Sequence, residues 1–189
     1  MNDWTLINKL KQGDQAAFKE VVETWQDMVY NTAIGIVQSP EDAEDVAQEV
    51  FVQVFQSIHG FKGNSKLSTW LYRITISKAM DHERRKKRKK RFALVQSLFG
   101  KNDEQVVDVP DFNHPGVLFD RKEKAAILFG AMKTLPENQR AAFVLNKVEG
   151  LSYQEISEVM QTSVSAVESL LHRAKTNLRK QLRDFYHDQ

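Results

Sequence analysis

Two residue types that grip nucleic acid stand side by side between Ser68 and Arg91, in STWLYRITISKAMDHERRKKRKKR. Trp70 and Tyr72 offer flat rings on which an unpaired base stacks, and the consecutive cations Arg84–Arg91 offer charges for phosphate. Phe61 and the small polar loop Gly63-Asn64-Ser65 lie just upstream. Taken alone, the basic run reads equally well as a solvated helix end, and Trp70 as a core residue.

A second constellation lies near the C-terminus. Ser152-x-x-Glu155 has the form of a capping box and opens a short helix, YQEISEVM. A polar turn, QTSVS, follows, and Ser165-x-x-Glu168 predicts a second capping box for AVESLLHRAKTNLRKQL. A short helix, a turn and a longer basic helix make a helix-turn-helix pattern, whose second helix enters the major groove of DNA. Val167, Leu171, Ala174 and Leu178 share one face, widened by Leu170, and are expected in the core. Ser169, His172, Arg173 and Thr176 point away. Arg173 suits a guanine edge or a phosphate, and Ser169 and His172 suit base edges. Glu168, as a capping residue, would repel phosphate. An ordinary solvated helix face is the plainer alternative.

A third stretch, DAEDVAQEVFVQVFQSI, runs from Asp42 to Ile58. Ala43, Val46, Ala47, Val50, Phe51, Val54, Phe55 and Ile58 form a wide stripe expected to be buried. Asp45, Gln48, Glu49, Val52 and Gln53 lie off it, as an acidic protein-docking face or simply the wet side of an amphipathic helix.

The elements that must position these groups are helical throughout. Apolar residues recur at helical spacing through Leu6, Ile7 and Leu10, and again through Phe18, Val21, Val22, Trp25 and Val29. Ser39-Pro40-Glu41-Asp42 supplies an N-cap, a first-position proline and first-turn acids. Gly60 and Gly63 mark a boundary. Leu135-Pro136 opens a helix to about Val148, which Gly150 ends. Residues 96–120, with Gly100, Gly116, Pro110 and Pro115, read as a linker. Val106, Val107 and Val109 could pair as a short strand there, but a flexible tether fits better. The expected fold is all-α: two small helical domains, the second a helix-turn-helix, joined by a flexible linker.

Charge is segregated along the 189 residues. Residues 1–60 carry 3 Lys/Arg against 10 Asp/Glu, whereas residues 61–99 carry 12 against 2. That pattern predicts two surfaces meeting two different partners, of which only the basic one suits a polyanion. The absence of cysteine excludes disulfides, thiolate zinc sites and cysteine nucleophiles. The five histidines are scattered, and no phosphate-binding glycine loop or nucleophile elbow is present. No catalytic residue, metal or cofactor is therefore expected. With no bilayer-length apolar run and no signal-peptide pattern after Met1, no membrane insertion and a cytoplasmic location are expected.

In order and spacing, SPEDAEDVAQEVFVQVFQSI, FKGNSKLSTWLYRI and LPENQRAAFVLNKVEGLSYQEISEVMQTSVSAVESLLHRAK resemble the bacterial extracytoplasmic-function (ECF) sigma factors of the sigma-70 family. The resemblance covers nearly the whole chain. It implies a non-enzymatic subunit that binds core RNA polymerase and directs it to promoters. It implies a sigma-2 domain over 1–95, a linker over 96–121 and a sigma-4 domain over 122–189. Asp45, Gln48, Glu49 and Gln53 would dock on the clamp helices of the polymerase β′ subunit. Phe61, Asn64, Ser65, Trp70, Tyr72, Arg73, Ser77, Lys78, Arg84 and Arg85 would recognise and melt the −10 element, capturing a base flipped from the non-template strand. Ser165, Glu168, Ser169, His172, Arg173 and Lys175 would read the duplex −35 element, and sigma-4 would also touch the β flap. An anti-sigma factor is an expected further partner. Ser77 stands where many members have asparagine, and Glu168-Ser169-Leu170 where many have Lys/Arg-Ser-Arg, so the resemblance implies altered −10 and −35 preferences. A conventional helix-turn-helix regulator and a helical adaptor that binds no DNA are the competing readings.

Overall fold

Local capping chemistry starts two of the helices where the sequence places them, at Ser39 and at Ser152. The computed structural model describes residues 3–99 and 127–187, and all regular structure among them is helical. α1 is Asp3–Lys11 and α2 is Gln15–Val37, the latter capped by Asp14, whose carboxylate accepts from the Ala16 and Ala17 amides. α3, Pro40–Ser57, begins with Ser39 accepting from the Asp42 amide at 3.3 Å and runs into a 3₁₀ turn at Ile58–Gly60. α4 spans Leu67–Phe99, and residues 127–133 form α5. α6 is Glu137–Lys147, α7 is Tyr153–Met160 and α8 is Val164–His187. The Ser152–Glu155 box forms with both reciprocal bonds.

α2, α3 and α4 pack on one another, and α1 lies across α2 and the 3₁₀ turn. Val21, Val29, Val46, Val50, Val54 and Leu71 have no exposed surface and form that group's centre. α6, α7 and α8 make the second group around Val144, Leu145, Ile156, Val167 and Leu171. Val167, Leu171, Ala174 and Leu178 are all buried, as their periodicity demands.

The two groups touch: α4 packs on α7 and α2 on α6. Gly35 makes the second contact possible, since a Cβ there would lie 2.8 Å from a methyl of Val144. Beside it Arg140, 2% exposed, donates from Nη1 to the Ile36 carbonyl at 2.8 Å. That carbonyl is in the last turn of α2, where no amide of the helix's own remains to bond it. The guanidinium thus caps α2 and places positive charge at the negative end of its dipole. Its other neighbour is Glu83 of α4 at 3.6 Å.

Three expectations are revised. Phe55 is 53% exposed and not part of the buried stripe; it stands edge-on to Phe18 of α2, with ring centroids 5.3 Å apart. α8 begins at Val164 because Ser163, not Ser165, caps it: the Ser163 hydroxyl accepts from the Ala166 amide at 3.2 Å, and Glu168 is exposed, with no capping bond. α4 continues through Phe99, past the expected start of the linker at 96. The rest of that linker, with Val106, Val107 and Val109, lies outside the described residues.

Candidate nucleic-acid interface

α4 carries most of the chemistry, and its 33 residues stay helical through the basic run. Like charges four apart destabilise a helix by a few tenths of a kcal/mol per pair. Acids of α3 and α6, and Glu83 of α4 itself, offset this. Arg84 donates to Glu137 of α6 at 2.7 Å, and Arg85 to Glu49 of α3 at 2.9 Å. Lys86 bonds Asp42 of α3, and Lys87 lies 4.0 Å from Glu83. Arg88, Lys89, Lys90 and Arg91 are exposed and make no ion pair with any described residue.

The expected −10 residues divide into three places. Trp70, Arg73, Ser77 and Lys78 line one open cleft together with Gln53 of α3 and Gln161 of the α7–α8 turn. Phe61 is buried beneath it, its ring 5.0 Å from that of Trp70 and tilted 43°. Asn64 and Ser65 sit on the loop before α4. Tyr72 is not beside Trp70, since two residues turn a helix by more than half a revolution. It is 8% exposed in the seam between the helical groups, where its hydroxyl donates to Glu149 at 2.9 Å. Arg73 leans into the same seam and donates twice to the Glu158 carbonyl, at 2.7 and 3.1 Å.

The expected docking residues share a second cleft: Asp45, Gln48, Glu49 and Gln53 line it with Val52 and Gln56. Lys78 and Arg85 close its other side, both paired with Glu49. The acidic helix and the basic helix are thus neighbours, joined also by Asp42 with His82 at 3.0 Å. On α8, Glu168, Ser169, His172, Arg173 and Lys175 line one shallow groove with Tyr153 of α7. Ser165 stands in the first turn, its carbonyl accepting from the Ser169 hydroxyl.

Titration follows from these contacts. Burial raises the Asp42 carboxyl, but hydrogen bonds and charge from Lys86 and His82 outweigh it and hold it below the usual carboxylate range. Burial lifts Glu149, and the Tyr72 hydroxyl only partly offsets this. Burial and the charge of Glu149 push Tyr72 up, so its phenol stays a donor. The capping bonds of Ser152 lower Glu155.

Sequence reasoning missed Arg140, Glu83, Glu149 and Tyr153. Arg140 was findable: four residues before Val144, it falls on the same helical face as the core. Glu83 and Glu149 carry no such local mark. Among the described residues there is no cluster of metal-ligating side chains, and no helix is long and apolar enough to cross a membrane.

A helix-turn-helix with an exposed polar face, set on a bundle whose long helix carries aromatics and cations that no described acid engages, defines a DNA-binding transcription protein. Residues 21–89 match the family model Sigma-70 region 2, and residues 126–178 match Sigma-70, region 4. The RNA polymerase sigma-H factor of Pseudomonas aeruginosa is 32% identical over 180 residues, covering 95% of this chain and 93% of that one. The ECF RNA polymerase sigma-E factor of Escherichia coli K12 is 31% identical over 175 residues, 93% of this chain and 91% of that one. The chain belongs to the ECF sigma factors of the sigma-70 family. Its fold matches CnrH, solved in complex with the cytosolic domain of CnrY, with a TM-score of 0.68 at 22% identity over 96% of this chain and 97% of that one. It also matches the sigma factor RpoE of Bartonella quintana, solved with the anti-sigma factor NepR, at 0.60 and 23% over 88% of this chain and 96% of that one.

Proposed function

We propose that this promoter-recognising sigma factor works through three surfaces. Asp45, Gln48 and Gln53, around exposed Val52, dock on the β′ clamp helices of core RNA polymerase. The cleft of Trp70, Arg73, Ser77 and Lys78, with the loop residues Asn64 and Ser65, takes the melted non-template strand of the −10 element. Ser169, His172, Arg173 and Lys175 read the −35 duplex, and the same domain rests on the β flap. The observation that carries this reading is the cleft itself. An exposed serine, a lysine, an arginine and a half-buried indole converge on the helix that goes on to carry four cations with no ion pair among the described residues, the combination that suits a single strand. We place the functional boundaries at 1–95 and 122–189, with the last turn of α4 reaching past the first of them.

As a member of the sigma factor family, the protein acts as a binding subunit and not as an enzyme. It works in the cytoplasm, where the polymerase is. An anti-sigma factor is the natural regulator, given that the Bartonella quintana neighbour is a sigma factor solved with such a partner. Tyr72, Arg73 and Arg84 face the α6–α7 side of the molecule, so full promoter engagement requires the two helical groups to part.

The test is transcription by purified core polymerase with and without the protein, on a pool of genomic promoter fragments. Discrete new start sites, abolished by Asp45→Arg with Gln48→Arg, are expected. Tight duplex binding by the protein alone, with no initiation, would refute the reading.

A further inference from the structure

α1 places an aromatic side chain on the loop that precedes α4. Leu6, Ile7 and Leu10 bury one face of the helix, and this directs Trp4 outward over Gly63. A Cβ built on Gly63 would lie 2.7 Å from Cζ3 of Trp4 and 3.3 Å from Cη2. The edge of the indole therefore rests on a bare α-carbon. Gly63 is required for a second reason, a φ of +74°, which side-chain-bearing residues rarely adopt. From the same helix Lys11 donates to the Phe61 carbonyl at 2.7 Å, pinning the other end of the loop.

An indole normally hides most of its large apolar surface. Trp4 leaves 52% exposed, although it stands at the margin of a well-filled core. Lys62, Asn64 and Lys66, on the loop around Gly63, are exposed as well, and the charge of Lys66 reaches Glu155. An open ring flanked by cations on a polar loop is the grouping that holds unpaired nucleotides by stacking and phosphate contact.

We propose that Trp4 is a base-stacking residue for the melted non-template strand, with Lys62 taking an adjacent phosphate. The strand path would then extend from the Trp70 cleft, past Asn64 and Ser65, onto α1. The proposal rests on the promoter-opening function above.

The experiment uses holoenzyme assembled from core polymerase and the full chain, on a promoter recovered from the transcription assay. A non-template-strand oligonucleotide carries 5-iodouracil, moved one position at a time through the −10 region and downstream. Irradiation is expected to join one or two positions to the peptide containing Trp4. Trp4→Ala and Trp4→Leu are expected to speed release of the oligonucleotide roughly tenfold, the scale of one lost base–aromatic stack, while Trp4→Tyr releases near the wild-type rate. Lys62→Ala should shrink the log–log salt slope by about 0.7, one single-strand phosphate. Leucine still covers Gly63. Wild-type behaviour of Trp4→Leu, with no crosslink at Trp4, would therefore reduce the indole to a loop cover and overturn the proposal. Failure of the wild-type holoenzyme to retain the oligonucleotide, measured first, would instead bring down the functional reading and this proposal with it.

Discussion

Replacing Arg140 by methionine should open the contact between the two helical groups. The side chain is 2% exposed and lies 3.6 Å from Glu83, itself 8% exposed at its side chain. Methionine keeps much of the length and removes the charge and the donors. Removing one partner of a buried pair costs about 3–5 kcal/mol, because the other charge is left without compensation. Lys87, 4.0 Å from the same Glu83 carboxylate, offsets part of this, so about 3 kcal/mol is the appropriate figure. At about 1.4 kcal/mol per factor of ten, the closed-to-open ratio should fall roughly 100-fold. The Ile36 carbonyl also loses its donor, which acts in the same direction. The absence of native cysteine allows a direct assay. Spin labels on cysteines placed at exposed Glu23 of α2 and Lys180 of α8 report the separation of the groups by pulsed electron resonance. The native chain should give one narrow distance distribution and Arg140→Met a broader, longer one, at unchanged helix content. Glu83→Gln in the same chain should restore much of the closure, since the stranded charge is then gone. An unchanged distance distribution in Arg140→Met, with or without a lower melting midpoint, would refute the reasoning.

The same labelled chain tests two further points. Gly35→Ala should open it through the 2.8 Å clash with Val144, despite the roughly 1 kcal/mol that alanine contributes to a helix over glycine, and Gly35→Ala with Val144→Ala should close it again. Closure should tighten with acid. Glu149 is raised by burial in the closed form and returns toward the ordinary glutamate range when exposed, so the closed form holds the proton more readily. Closure is then weakest above the raised value and gains as pH falls through it toward the ordinary glutamate range, with no further gain below that range; Glu149→Gln should flatten the profile, read from the same distance distribution. Replacing Arg88, Lys89, Lys90 and Arg91 with alanine should reduce the log–log salt slope of single-strand binding by up to about 0.7 per residue. The same change at Arg84–Lys87 should reduce it less, because ion pairs already engage those cations; filter binding over a salt series measures both.

The fold was legible wherever its cause was local. Ser39-Pro40 and Ser152-Glu155 start helices through bonds that span three residues, so the sequence shows both ends of each contact. The start of α8 was not, because Ser163 and Ser165 are both good caps and the left-handed turn at Gln161 decides which hydroxyl meets the free amide. Phe55 failed for a related reason. Its own helix places it at the rim of the apolar stripe, and only the position of Phe18 on α2 fixes it edge-on to that ring and half in water. The seam was hidden altogether. Tyr72 and Glu149 lie 77 residues apart, Arg140 and Ile36 104, and no periodicity links partners at such separations.

Charge counts along the chain point to an acidic block for protein and a basic block for DNA, and the folded arrangement changes what those counts mean. α3 and α4 lie side by side, so part of the acidic block neutralises part of the basic one: Asp42 holds Lys86 and His82, and Glu49 holds Arg85 and Lys78. Both effects follow from one geometry. α4 runs along α3 and past α6, whose Glu137 takes Arg84, and the cations level with those acids are bound. The run beyond, Arg88 to Arg91, has no acid among the described residues to meet. Arg84, Arg85 and Lys86 therefore tie α4 to its neighbours, Lys87 is engaged within α4, and under the proposed function the second half is left for phosphate. A count of eight cations overstates the grip on DNA about twofold, and a surface exchange of Glu49 for a neutral residue should strengthen non-specific binding by releasing Arg85 and Lys78 to the strand.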